Sequence, residues 1–256
     1  MINYNRAAIG ILFTNQTKLN LPMPAQIDEA HRNIGKITAA TANLRQANDV
    51  AYHVAQAIIE DRDPTTDPAV ARAITAHTLT NYAPGLADEA QNRLVTAIRN
   101  NRSDLYAGWK KTVAKAATTL TTEYQTLGNV DLTADAAQIL NRGGDIAKHF
   151  TAARDANTRI ATVIESHNAL ESILGNTVSP TYRTLWLTPA TLDEWERHEL
   201  IRRHDAWELT TLGLPVDLAS PAEIRSRIEH HQTERTRREQ LAQAQGRGRV
   251  PKWNRA

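Results

Sequence analysis

Residues 133–174 read TADAAQILNRGGDIAKHFTAARDANTRIATVIESHNALESIL. Apolar or small side chains recur there at alternating steps of three and four: Ala136, Ile139, Gly143, Ile146, Phe150, Ala153, Asn157, Ile160, Ile164 and His167. This is the a/d spacing of a helix that buries one narrow seam against another helix. Beyond Asn157 the stripe drifts onto Val163, Leu170 and Leu174. A straight helix drifts in this way because it gains about 20° per heptad over a strict seven-residue repeat. Gly175-Asn176 supplies a left-handed stop. Unbroken, the helix would be roughly 60 Å long. Gly143-Gly144 lies inside it, and each glycine costs about 1 kcal/mol relative to alanine. Either the helix breaks there, with Asp145 capping a second one, or Gly143 lets a neighbouring backbone come close.

A second seam keeps the same rhythm through Ile27, Ala30, Ile34, Ile37, Thr41, Leu44, Asn48, Ala51, Ala55 and Ile58. Thr41 and Asn48 are its polar members, and an Asn on a seam can fix register at a cost in stability. Asp61-Arg62-Asp63-Pro64 ends that helix, because the residue before proline is pushed out of the helical region. Two long seams predict an all-α fold, an elongated helical bundle over residues 23–175. Asp67-Pro68 opens a short helix with Val70, Ile74, His77 and Thr78 inward. Leu86, Ala90, Leu94, Ala97 and Ile98 line the next. Leu105, Trp109, Ala116, Leu120 and Leu127 line another, which Gly128-Asn129 stops and whose outer face carries Lys110, Lys111 and Lys115.

Either side of this bundle the pattern changes. In residues 1–22, Ile9, Ile11 and Phe13 alternate with Gly10 and Leu12, and the stretch reads as an extended arm. Residues 176–188 read as a linker. A C-terminal helical hairpin follows over 189–245. Its first helix starts at Thr188-Pro189 and carries Leu192, Trp195, Leu200, Ile201, Trp207, Leu209 and Leu212. Its second starts at the capping box Ser220-Pro221-Ala222-Glu223 and turns almost wholly polar after Ile228. Such a helix is a solvated end or a strut between subunits. Residues 246–256 form a basic tail.

Composition limits the core. The chain is 41% hydrophobic but only 5% aromatic, so the interior is built from Ala, Ile, Leu and Val, which suits close-packed helices. Net charge is +2, too small to argue for nucleic acid by itself. Absence of cysteine excludes disulfides, thiol nucleophiles and Cys-ligated zinc. No run approaches the about 20 apolar residues of a membrane span, so no membrane partner is expected. Arg6 and the patch Ala7 to Phe13 lack a small-x-small cleavage site and are read as mature protein.

Chemistry is sparse. His198-Glu199 is followed by His204, but a zincin needs the second histidine where Arg202 stands. An ion pair of Glu199 with Arg203 on a solvated helix is the expected role there. His230-His231 are adjacent and point apart, and His77, His149 and His167 lie near apolar faces as core residues. No phosphate-binding glycine loop and no Gly-x-Ser-x-Gly elbow occurs. No catalytic, metal or cofactor-binding residue is assigned, and no cofactor or small-molecule substrate is expected.

The expectation is a non-enzymatic structural or assembly protein whose partners are protein subunits. The interaction seams are Ile27, Ile34, Ile37, Leu44 and Ile58, and Ile139, Ile146, Phe150, Ile160 and Ile164. A tailed-phage virion component (capsid, head-tail junction or internal protein) fits this build, in a virion or cytoplasm. One alternative is a nucleic-acid-binding protein using Arg247, Arg249, Lys252, Trp253 and Arg255, since arginines with an aromatic can follow phosphates and stack on a base. A second is a secreted helical effector or adaptor.

Overall fold

The computed structural model describes residues 6–133, 139, 143–176, 180–201 and 204–244. Among the described residues it is all-α, with ten α-helices, one 3-10 helix and no strand. The chain forms two compact units, residues 22–105 and residues 7–21 with 106–256. The expected bundle over 23–175 is therefore divided at Leu105.

In the first unit, α2 (Ala25–Gln46) packs on α4 (Pro68–Thr80) and α5 (Ala83–Asn100), and α3 (Val50–Ile59) packs on α4. The long second seam is two helices, not one. Asp49 breaks it, because its side chain accepts from the Tyr52 amide at 2.9 Å and so caps α3. Asp67 caps α4 through the amides of Ala69 and Val70, and the Arg62 guanidinium pairs with its carboxylate. The inward face of α4 is Val70, Ala73 and Ala76, while Ile74, His77 and Thr78 are exposed. Small side chains face inward because helices packed closely leave room for little more.

The second unit begins with a correction. Residues expected as an extended arm form α1 (Arg6–Lys18). Its buried set is Ala8, Ile9, Leu12, Asn15 and Gln16, one face of a helix, with Leu19 following at the same spacing. Trp109 of α6 (Arg102–Leu127) donates to Gln16 Oε1 at 2.8 Å, and Asn15 reaches Glu165 at 3.4 Å. Trp109, Val113, Ala116, Leu120 and Leu127 of α6 are buried, and Gly128 stops it at φ 60°.

Gly143 has φ 110° and α7 (Gly144–Leu174) starts after it, so no helix runs through this glycine. Nothing would meet a Cβ there within 4 Å, which rules against a close backbone approach. Asp145 sits in the first turn and pairs with Lys148 and is not the cap. Gly175 ends α7 at φ 75°.

Of the stretch expected as a linker, residues 184–188 are buried. Its 3-10 helix (Pro180–Trp186) precedes Leu187, and Leu185, Trp186 and Leu187 are buried. The backbone amides of Asp217 and Ala219 donate to Leu187 O and Trp186 O at 2.7 and 2.9 Å. The single helix expected from Thr188-Pro189 is two short ones. Thr191 with Glu194 and Asp205 with Glu208 form capping boxes that start α8 (Leu192–Arg197) and α9 (Ala206–Thr211). Polar α10 (Pro221–Ala244) is held mainly by polar anchors: Arg227 donates to Leu185 O at 2.7 Å and pairs with Asp217, and His231 Nε2 meets Ala190 O at 2.7 Å.

Candidate interaction surface

α3 reads VAYHVAQAII and contains no Asp, Glu, Lys or Arg. A helix with this composition is expected to be enclosed on most sides. Here only Ala57 is fully buried. Val50, His53, Val54 and Ala57 share one face, the side that packs on α4, and are half-buried or buried. The opposite stripe, Ala51, Tyr52, Ala55, Ile58 and Ile59, carries no charge and is exposed. Tyr52 is 59% exposed, Ile58 60% and Ile59 74%. Ile74, Leu79, Tyr82 and Leu86 are further exposed apolar side chains of the same unit. Contiguous exposed apolar side chains of this kind mark surfaces that meet another molecule.

Both ends of α3 carry acids. Asp49 stands at its start, and Glu60, Asp61 and Asp63 follow its end. Hydrogen bonding from Gln56, then the Arg62 guanidinium, holds the Glu60 carboxyl below its usual range. The Thr65 hydroxyl and amide donate to Asp63 Oδ1 at 2.7 and 2.8 Å and lower its pKa likewise. Glu60 and Asp63 therefore stay ionised at neutral pH.

Of the seam from Ile27 to Ile58, Ile27 is fully buried, and Ile34, Ile37 and Leu44 are half-buried along the helix that packs on α4 and α5. Ile58 belongs to the exposed stripe instead. Of the seam within residues 133–174, Ile139, Phe150 and Ile160 are buried and Ile146 and Ile164 half-buried, within the second unit. Polar side chains on α7 are used internally. Asn157 donates to Asp205 Oδ2 at 3.0 Å and accepts from the Trp207 amide at 3.1 Å. Tyr106 and Asn176 both donate to Glu171, at 3.2 and 3.0 Å, and the His167 ring lies 3.7 Å from that of Trp186, centroid to centroid. Lys110 pairs with Glu223 at 3.2 Å. The tail residues Arg247, Arg249, Lys252, Trp253 and Arg255, and Arg203, the expected partner of Glu199, lie outside the described residues.

A groove of about 580 Å³ lies in the second unit, lined by Val130, Asp131, Arg154, Asn157, Asp205 and Trp207 among others. Its carboxylates have local work: Asp131 accepts from Thr133, and Asp205 and Glu208 close the capping box of α9. Trp207 Nε1 donates to Val130 O at 2.7 Å. Among the described residues there is no group of three or more His, Asp or Glu placed to hold a metal ion, and no helix long and apolar enough to cross a membrane. Comparison with protein-family models, with curated proteins and with solved structures finds no match to this chain.

Proposed function

We propose that this protein is a non-enzymatic structural or assembly protein that joins a larger complex through helix faces, with the outer stripe of α3 as its contact. One observation carries this function: α3, a helix of mostly apolar residues with no charge, buries a single residue completely and leaves Tyr52, Ile58 and Ile59 open to water. Burying apolar surface stabilises by about 25 cal/mol per Å², so an uncovered stripe of this kind favours association. Within this class we propose a shell or connector subunit of the tailed-phage kind, by analogy of build.

Light scattering across a concentration series tests the proposal. The native chain is expected to rise above its 28.4 kDa monomer mass as it is concentrated. The double variant Ile58→Asp/Ile59→Asp is expected to stay at monomer mass with unchanged helical circular dichroism, because both positions are exposed and tolerate charge in the monomer. A native chain that keeps monomer mass at every concentration contradicts it.

A further inference from the structure

We propose that the outer stripe of α3 is the docking site for residues 246–256 of a second copy of this chain. This rests on the assembly function above and names its partner.

The stripe selects its occupant by charge. Across residues 49–67 the acids Asp49, Glu60, Asp61, Asp63 and Asp67 stand against Arg62 alone, a net −4. A second α3 laid on the first would bring the same excess with it. Anionic lipid and nucleic acid are repelled for the same reason. The fitting occupant combines apolar side chains for the stripe with cations for both its ends.

Residues 246–256 read GRGRVPKWNRA. They carry Arg247, Arg249, Lys252 and Arg255 with no acid, a net +4, and place Val250, Pro251 and Trp253 among them. Tryptophan and arginine are the residue types that most often anchor an interface. The stretch just before, Glu229 to Gln245, has no such excess, because Arg235, Arg237 and Arg238 are matched by Glu229, Glu234 and Glu239. Length also fits. α3 is about 15 Å long at 1.5 Å per residue, and the eleven-residue segment spans up to about 35 Å when extended. It is long enough to set cations beside Asp49 at one end and beside Glu60, Asp61 and Asp63 at the other.

Stripe-to-tail pairing is heterologous. Each copy offers one of each surface, so copies add head to tail and close into a ring or grow as a chain. It also weakens with salt, because the charges at its rim are exposed.

Complementation tests this with full chains. One variant carries Ile58→Asp/Ile59→Asp and keeps its tail; the other lacks residues 246–256 and keeps its stripe. Each alone is expected at monomer mass in sedimentation, and an equimolar mixture is expected to form a 1:1 complex. A chain with Arg247, Arg249, Lys252 and Arg255 each replaced by Glu is expected to associate at least tenfold more weakly than the native chain. If the truncated chain self-associates as the native one does while the stripe variant stays monomeric, the tail is not the occupant and the assembly function stands. If truncation strengthens association, the tail covers the stripe of its own copy and the proposal fails. If the native chain never associates, both fail together.

Discussion

His231 shows how one side chain holds a polar helix in place. It is 2% exposed, its Nε2 lies 2.7 Å from Ala190 O, and the Trp195 ring meets it edge-on. Burial is the largest influence on it and pushes its pKa below the ordinary value of 6.5; the Ala190 contact and Glu196 oppose that, and His230 and Arg235 reinforce it. The unfolded chain takes up the proton at about 6.5. The stabilising contribution of neutral His231 is therefore complete above that pH and is lost as pH falls toward the lower folded value. Thermal unfolding of the native chain and of His231→Gln is expected to diverge above pH 6.5 and converge below it; curves that stay parallel would contradict this role. Asn157 offers a second test. It links α7 to the start of α9 through both ends of its amide, so Asn157→Ala is expected to cost about 1–3 kcal/mol in denaturant unfolding. At this scale the sequence was partly legible. Asn157 and His167 read only as positions on the seam, because their partners Asp205 and Trp186 are 48 and 19 residues away and no spacing rule reaches them. The capping role of Glu223 was legible, because the Ser-Pro-Ala-Glu box names its own partner, whereas Lys110 is 113 residues away; the Ser220 amide and hydroxyl, with Lys110 after them, lower the Glu223 pKa to about 2.

Among the elements, α1 was misread for a physical reason. Ile9, Ile11 and Phe13 alternate, but Ala8, Ile9, Leu12 and Leu19 also fall on one helical face, and burial in the second unit decides between the two patterns. Gly10 lies inside this helix with open space where a Cβ would stand. Gly10→Ala is expected to raise stability by about 0.5–1 kcal/mol, as it would not in an extended arm. Gly175→Ala is expected to do the opposite by a similar amount, since φ is 75° there. The caps of α3, α8 and α9 were present in the sequence as Asp49, as Thr191 with Glu194, and as Asp205 with Glu208. Continuous apolar rhythm hid them, because a heptad pattern carries on through a break that a single side-chain cap makes. The stripe on α3 was hidden for a related reason: a helix apolar on two sides reads as simply buried.

On the scale of the molecule, the all-α class followed from two seams and a low aromatic content, whereas the division at Leu105 did not. It depends on which helices α2 and α1 pack against, and that is set by long-range burial. With Trp253→Phe, the remaining tryptophans Trp109, Trp186, Trp195 and Trp207 all lie beyond residue 105, so their emission reports the second unit alone. Replacing Ile34 and Leu44 by Asp places charges on the half-buried face of α2. Helical circular dichroism is expected to fall while tryptophan emission holds; loss of both signals together would contradict the two-unit division. The central claim is that α3 is where this protein meets its neighbour. Amide hydrogen exchange of the native chain at low and high concentration tests it most directly. Exchange is expected to slow on concentration across Val50–Ile59. Slowing confined to other helices, with α3 unchanged, would contradict it.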